Sequence, residues 1–393
     1  MALEDKPYRV YRGGRVKGKV PTLPRPERER RRPGRNGRPP QQRYPGTGPA
    51  PRRRRWPRKR WLGLIPVVLL ALLIVWAVAS YLAVQSGVET ANKRLPRSAK
   101  RALTVQNGSV ISNPTHVLLL GTDHSTTAAR RGLEHTDSIQ LIRTDPDRNR
   151  VSYLSIPRDL RVAIPGHGFD KVNVAYQTGG AALAIRTIQA LGVPVNHVAI
   201  VDLARFPKLI DAVGGVDINV PRPILSKFDC PLKTNAQCAS WPGWHFKKGE
   251  QHMDGRRARI YSRVRKNLLN PADTDISRSA RQQQVMTALT QKMTSVGTLI
   301  RMPWIGGDLA KPLATDLSTN EFLELGWRKF RAGSSHTLYC RIGGSPSSFG
   351  YLIPEGDDVR RVLREFEGID APQPPPPGTL FGSGCRIGHP LLG

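Results

Sequence analysis

A run without a single charged residue, Trp61 to Val84, constrains the chain more than any other feature. At about 1.5 Å per residue, a helix of that length crosses a bilayer core of about 30 Å with some tilt. Arg52–Arg55, Arg58, Lys59 and Arg60 crowd its N-terminal side. The positive-inside rule then places residues 1–60 in the cytoplasm and everything after Val84 outside, as a single-pass protein of the cell membrane. Trp61 and Tyr81 suit interfacial positions. A cleaved signal is the competing reading, since Ala77-Val-Ala79 fits a small-residue cleavage site. The long leader and the apolar residues that continue past that site favour a retained anchor.

The formal net charge of +31 over 393 residues would point to nucleic acid or an anionic surface if it were evenly spread. It is not. Residues 1–60 hold Arg28, Arg30–Arg32 and the Arg52–Arg55 block, with many Pro and Gly and almost no aliphatic side chains. Such a segment cannot bury enough apolar surface to offset chain entropy, so it is expected to be disordered. It contains no recognition helix, so acidic lipid or a protein partner suits it better than nucleic acid. All four cysteines, Cys230, Cys238, Cys340 and Cys385, follow the span. On the outer side an even count favours disulfides, Cys230–Cys238 as a local staple and Cys340–Cys385 as a tie for the C-terminal tail. Buried free thiols are the alternative. No cysteine or histidine spacing fits a zinc site.

Residues 85–113 read as a polar stalk, with an extracytoplasmic domain over 114–368 and a Pro/Gly-rich tail over 369–393. The domain opens with three expected strands: His116–Gly121, Ser138–Thr144 and Val151–Ile156, the last two joined by the turn Asp145-Pro-Asp-Arg-Asn-Arg150. Pro157 ends the third strand, because it cannot donate to a ladder. If the three pair as antiparallel neighbours, Asp123, Asp137 and Arg158 arrive at one edge of the sheet. Further on, helical spacing over Gly179–Leu191, a strand at His197–Val201 and a helix at Phe206–Val213 closed by Gly214-Gly215 argue for an α/β layered domain. Helices are expected again at Ser279–Ser295, Asn320–Phe330 and Asp357–Phe366, with a strand at His336–Ile342.

Basic residues recur in three places. Arg158 stands beside Asp159 on a stiffened backbone, and Lys171 stands two residues before Asn173. Arg263 and Arg265, read as a strand pair on one face, precede Arg278, Arg281 and Gln282 at a helix start, where backbone N–H groups favour anions. A guanidinium grips phosphate or carboxylate through its planar donor fork. Any one of these clusters alone is an ordinary solvated surface. Together with Asp123 and Asp137 they favour a phosphate site with a divalent ion, since Mg²⁺ is held by one or two carboxylates plus substrate phosphates. No G-x-S-x-G elbow or phosphate-binding P-loop is present.

Seven short motifs occur in order: Gly121-Thr-Asp123, Thr136-Asp-Ser138, Ser155-Ile-Pro-Arg-Asp159, Lys171-Val-Asn-Val-Ala-Tyr176, Gly214-Gly-Val216, Tyr261-Ser-Arg-Val-Arg265 and Arg278-x-x-Arg-Gln-Gln283. In this arrangement the chain resembles the LytR-CpsA-Psr family over roughly residues 115–295, and its single span before the domain matches that family's layout. The resemblance implies a mixed β-sheet core flanked by helices (α/β/α) after one transmembrane helix. It also implies transfer of a cell-wall glycopolymer, teichoic-acid-like, capsular or another wall polysaccharide, from a polyprenyl pyrophosphate carrier onto peptidoglycan. It assigns Asp123 and Asp137 to a Mg²⁺ (or Mn²⁺) site. Arg158, Lys171, Arg263, Arg265, Arg278 and Gln282 fall to pyrophosphate binding, with Arg281 as an extension. His135 departs from the pattern, since the family usually has an arginine there.

The expected chemistry is attack of an acceptor hydroxyl on the sugar-linked phosphorus, mainly by charge stabilisation. Arg158, Asp159 and Asp123 form the expected catalytic set: Asp159 orients Arg158, and Asp123 or Asp137 assists deprotonation. Hydrolysis of the lipid pyrophosphate without an acceptor is a close variant. The rival reading is a membrane-tethered, non-enzymatic regulator whose basic tail binds nucleic acid or acidic lipid.

Overall fold

The computed structural model describes residues 58–106, 108–124, 134–202, 205–232, 234–264, 266–271, 273, 275–376 and 382–388. The basic N-terminal segment up to residue 57, Arg265 and the chain's last residues lie outside it. Asp123, His135 and Asp137 are described as backbone positions only. Eleven helices are described: α1 Arg58–Asn92, α2 Arg97–Ala102, α3 Val172–Gln189, α4 Phe206–Ala212, α5 Asn235–Ser240, α6 Gly255–Arg263, α7 Asp275–Met293, α8 Val296–Ile300, α9 Met302–Ala310, α10 Thr319–Ala332 and α11 Asp358–Phe366. The strands are β1 Thr115–His124, β2 Glu134–Asp145, β3 Arg150–Ile156, β4 Arg161–Ile164, β5 Gly168–Lys171, β6 His197–Asp202, β7 Val216–Val220, β8 Ile224–Ser226, β9 Trp244–Phe246, β10 Gly249–Met253, β11 Leu313–Thr315, β12 Thr337–Arg341, β13 Ser345–Pro346, β14 Leu352–Ile353 and β15 Gly384–Ile387.

Seven strands form one sheet in the order β11-β6-β1-β2-β3-β12-β15. It is mixed: β1 pairs β2 and β2 pairs β3 antiparallel, while β6 joins β1 and β12 joins β3 in parallel. The period-2 alternation of side chains decides what each face buries. Leu118, Leu141 and Leu154 stand in one row across three strands, and Leu120, Ile139 and Ile156 in the next. These rows pack on α3, on Leu95 and Ala99 near the N-terminus, and on Val362, Leu363 and Phe366 of α11. The opposite face carries Leu119 and Val201 against α4, α6 and α7. Each fully buried leucine contributes about 1.5–3 kcal/mol by removal from water, so these rows are the main source of stability.

Three readings need correction. Residues 85–113 are not a polar stalk. Helix α1 runs on to Asn92, and its Val84, Val88 and Ala91 are buried, as are Leu95 and Ala99 beyond it. The exposed Lys93, Arg94 and Arg97 between them mask this narrow apolar stripe in the sequence. Nor does Arg263 stand on a strand: it is the last residue of α6, and Arg265 lies outside the described residues. Asp254 starts that helix: its carboxylate accepts from Arg257 N–H at 2.7 Å, which overrides the β-forming run Ile260-Tyr261. Helix α3 also begins earlier than its glycines indicate. It starts at Val172 and is broken at Gly179–Gly180, where Gly180 has φ +60°, a left-handed backbone that glycine adopts without strain.

His197 opens β6 with its Nδ1 2.7 Å from Asp316 Oδ2 and its Nε2 3.8 Å from Glu321 Oε1. Burial lowers the imidazole's pKa, but the Asp316 hydrogen bond and the Asp316 and Glu321 charges outweigh it, and the net shift is upward. A folded pKa above the unfolded one stabilises fully below the unfolded value and ceases to do so as pH rises through the folded value. His197→Gln is therefore expected to lower the urea midpoint more at about pH 5.5 than at about pH 9. Equal losses at both pH values would contradict this.

Candidate functional site

Three strands deliver their ends to one place. Gly121 pairs Ser138 and Thr122 pairs Thr136, so Asp137 is the extra residue of a β-bulge facing the Gly-Thr step just before Asp123. His135 pairs directly with Asp123. On the other side of β2, Ile139 pairs Ile156. Arg158 follows that last pair by two residues, just past Pro157 and the end of β3. Backbone pairing alone thus sets both aspartates and Arg158 at the same end of the sheet.

Beyond Pro157 the chain is held down on both sides. Asn173 N–H donates to the Arg158 carbonyl at 3.2 Å, Val172 N–H to the Leu160 carbonyl at 2.9 Å, and Leu352 N–H to the Asp159 carbonyl at 2.8 Å. This locks the Pro-Arg-Asp segment onto the start of α3, whose N-cap is Lys171. Asp159 is shared between two cations: its Oδ2 lies 3.2 Å from Arg158 Nε and its Oδ1 3.1 Å from Lys171 Nζ. All three side chains are partly open to solvent. An ion pair such as Lys171–Asp159 in that setting stabilises a fold by about 0–1 kcal/mol at most. What it does fix is the direction of the two cations, at the start of the short first segment of α3 that ends at Gly179–Gly180. Lys171 Nζ also lies 5.6 Å from the centre of the Tyr351 ring.

Arg263 lies on α6 and Arg278, Arg281 and Gln282 on α7, and α7 packs against both α6 and β2. Arg263 sits at the end of α6 with its guanidinium 5.4 Å from the Phe228 ring centre. Arg278, Arg281 and Gln282 are buried near the start of α7. Arg281 Nη1 reaches both Asp273 oxygens, at 2.8 and 3.0 Å, and its Nη2 donates to the Val264 carbonyl. This geometry ties the α6–α7 connection together, so Arg281 serves as a brace for the neighbouring residues. Removing one partner of a buried pair leaves the other charge uncompensated. Asp273→Ala is expected to cost about 3 kcal/mol, read as a lower thermal midpoint, with Arg281→Met on the same background restoring part of the loss. A double variant as unstable as Asp273→Ala would contradict the brace.

Sequence reasoning missed Asp273, Tyr351 and the β13–β14 turn that carries the latter to Lys171. Asp273 had a readable signal, an acid just before a basic helix start. Tyr351 had none, since it arrives from far along the chain. Both disulfides, Cys230–Cys238 and Cys340–Cys385, are formed.

A divalent ion needs hard oxygen donors, and Asp123 and Asp137, which the strand pairing brings to one end of the sheet, are residues of that chemical type. Among the described residues, no group of three His, Cys, Asp or Glu side chains forms a metal cluster of its own.

The LytR_cpsA_psr family model matches residues 78–339. The chain belongs to the LytR_cpsA_psr family. Its relatives include the polyisoprenyl-teichoic acid–peptidoglycan teichoic acid transferase TagU of Oceanobacillus iheyensis, 29% identical over 330 residues, which are 81% of this chain and 95% of that one. The regulatory protein MsrR of Staphylococcus aureus is 31% identical over 259 residues, 65% of this chain and 70% of MsrR. The crystal structure of B. subtilis TagV superposes with a TM-score of 0.54 at 27% identity, covering 65% of this chain and 96% of TagV. The mixed sheet with flanking helices is thus the fold of the family. The matched region begins inside α1 and stops within β12, so Tyr351, Cys340 and Cys385 all lie beyond it.

Proposed function

We propose that this protein is a membrane-anchored transferase that moves a glycopolymer from a polyprenyl pyrophosphate carrier onto peptidoglycan. The observation that carries the reading is the cluster of Arg158, Asp159 and Lys171, built at the strand end that also receives Asp123 and Asp137. Family membership and the TagU and TagV relatives support it. α1 is the one helix among the described residues long and apolar enough to cross a membrane, which fits a single-pass anchor. The basic block before it orients residues 1–57 toward the cytoplasm and the sheet domain outward, the side on which disulfides persist.

In this reading Arg158 and Lys171 take the two phosphates, with Asp159 holding both cations in place. Arg263, Arg265, Arg278 and Gln282 extend the anion site from the α6–α7 side. The acceptor hydroxyl oxygen bonds to the sugar-linked phosphorus, the bond from that phosphorus to the polyprenyl phosphate breaks, and a carboxylate, Asp123 or Asp137, takes the hydroxyl proton. Charge that develops on the phosphate oxygens meets cations already oriented for it, the arrangement that lowers such barriers most. Mg²⁺ or Mn²⁺, held by Asp123 and Asp137, would supply further neutralising charge.

The test uses the full chain in liposomes with a polyprenyl-pyrophosphate-linked glycan and peptidoglycan. The expected result is glycan joined to peptidoglycan through a phosphodiester with release of polyprenyl phosphate, stopped by EDTA and restored by Mg²⁺. Release without attachment would reduce the function to hydrolysis. Neither product would leave the regulator reading, which the MsrR relative favours.

A further inference from the structure

The helix pair α8–α9 exposes Val296, Leu299, Ile300 and Trp304, the last at 75%. A patch like this on a soluble surface is a liability unless something covers it. Its position identifies the cover. Trp76 Nε1, within the apolar run of α1, donates to the Ile300 carbonyl at 3.0 Å. Small residues then bring α9 against α1 at backbone distance: a Cβ built on Gly87 would lie 2.4 Å from the Gly307 carbonyl oxygen, and one on Gly306 2.8 Å from Val84 Cγ2. The missing side chains are what let the two helix backbones meet so closely.

The depth follows from the length of the span. An apolar core of about 30 Å takes up about 20 residues of helix. Counted from Trp61, the outer boundary falls near Ser80 and Tyr81. Trp76 is inside that boundary, so the Ile300 carbonyl bonded to it lies at the level of lipid. Polar chemistry resumes one turn after Trp304, where the exposed Asp308 and Lys311 pair at 3.2 Å. Arg301, between the two helices, turns its guanidinium back to the sheet domain and donates to the Ala212 carbonyl at 3.4 Å.

We infer that α8–α9 is a bilayer-docking element: Val296, Leu299, Ile300 and Trp304 enter the outer-leaflet interface beside α1, and the Gly87–Gly307 contact fixes the angle at which the sheet domain stands on the membrane. The inference rests on α1 being a membrane span. Its consequence for the reaction is geometric, because a domain held at a fixed height presents its phosphate site to a lipid carrier at constant depth.

The four native cysteines are all in disulfides, so an introduced cysteine is the single free thiol. Spin labels are placed in the full chain at Val296→Cys, Ile300→Cys and Trp304→Cys, with Leu72→Cys in α1 and the exposed Trp327→Cys on α10 as references. Each protein is reconstituted in phosphatidylcholine–phosphatidylglycerol liposomes. Accessibility to oxygen and to a water-soluble nickel chelate is read from power saturation. Labels at 296, 300 and 304 are expected to lose nickel accessibility and gain oxygen accessibility, as at 72, while 327 stays open to nickel. Nickel accessibility at 300 and 304 equal to that at 327, with 72 shielded, would overturn the docking element and leave the span intact. Nickel accessibility at 72 as well would overturn the span and the docking element together.

Discussion

Replacing Arg158 by alanine in the full-length chain is expected to cut glycopolymer transfer by about 10²–10³-fold, the loss that accompanies removal of one preoriented donor from a developing oxyanion. The argument starts from the backbone. Pro157 ends β3, hydrogen bonds from Asn173 and Leu352 clamp the next residues, and Asp159 holds the Arg158 Nε at 3.2 Å. The guanidinium is thus set before substrate arrives, and its contribution to the transition state costs no reorganisation. Arg158→Lys keeps the charge but loses the planar fork, so it should fall between wild type and alanine. Thermal unfolding of the same variants separates loss of chemistry from loss of fold. Transfer by the folded alanine variant within about threefold of wild type would remove Arg158 from the phosphate site.

The second large effect is on stability. Cys340 of β12 is bonded to Cys385 of β15, the strand that closes the β12 edge of the sheet, across a separation of 45 residues. In the chain-entropy model a loop of that size restrains the unfolded chain by about 4 kcal/mol. Cys340→Ser with Cys385→Ser is expected to lower stability by that order, with β15 losing hydrogen-exchange protection before β1 to β3 do. By contrast the Cys230–Cys238 staple, with a separation of 8, restrains far less chain. A double serine variant with unchanged protection in β15 would show that its ladder and the α11 packing suffice.

Much of this was legible in the sequence, and for identifiable reasons. The three strands that deliver Asp123, Asp137 and Arg158 are short apolar runs bounded by Gly, a turn and Pro, and their alternation fixed the register. The helices at α4, α10 and α11 carry their own stop and start signals, such as the positive-φ Gly214 and the Ser318–Glu321 capping box. Local pattern failed where tertiary contact decided the outcome. Residues 85–113 look polar because their buried stripe is narrow and made of small side chains. The Arg263 segment looks like a strand because Ile260 and Tyr261 favour one, yet Asp254 caps a helix and α7 covers it. Tyr351 was invisible, since nothing in its surroundings marks it as a neighbour of Lys171.

Binding of a polyprenyl pyrophosphate to the full chain in nanodiscs, followed by ³¹P NMR, tests the central claim most directly. Saturable binding is expected for wild type, with affinity reduced at least about tenfold, or 1.4 kcal/mol, in both Arg158→Ala and Lys171→Ala and unchanged in Arg364→Ala, an exposed residue of α11 paired with Asp370. Equal affinity in all four proteins would contradict the account.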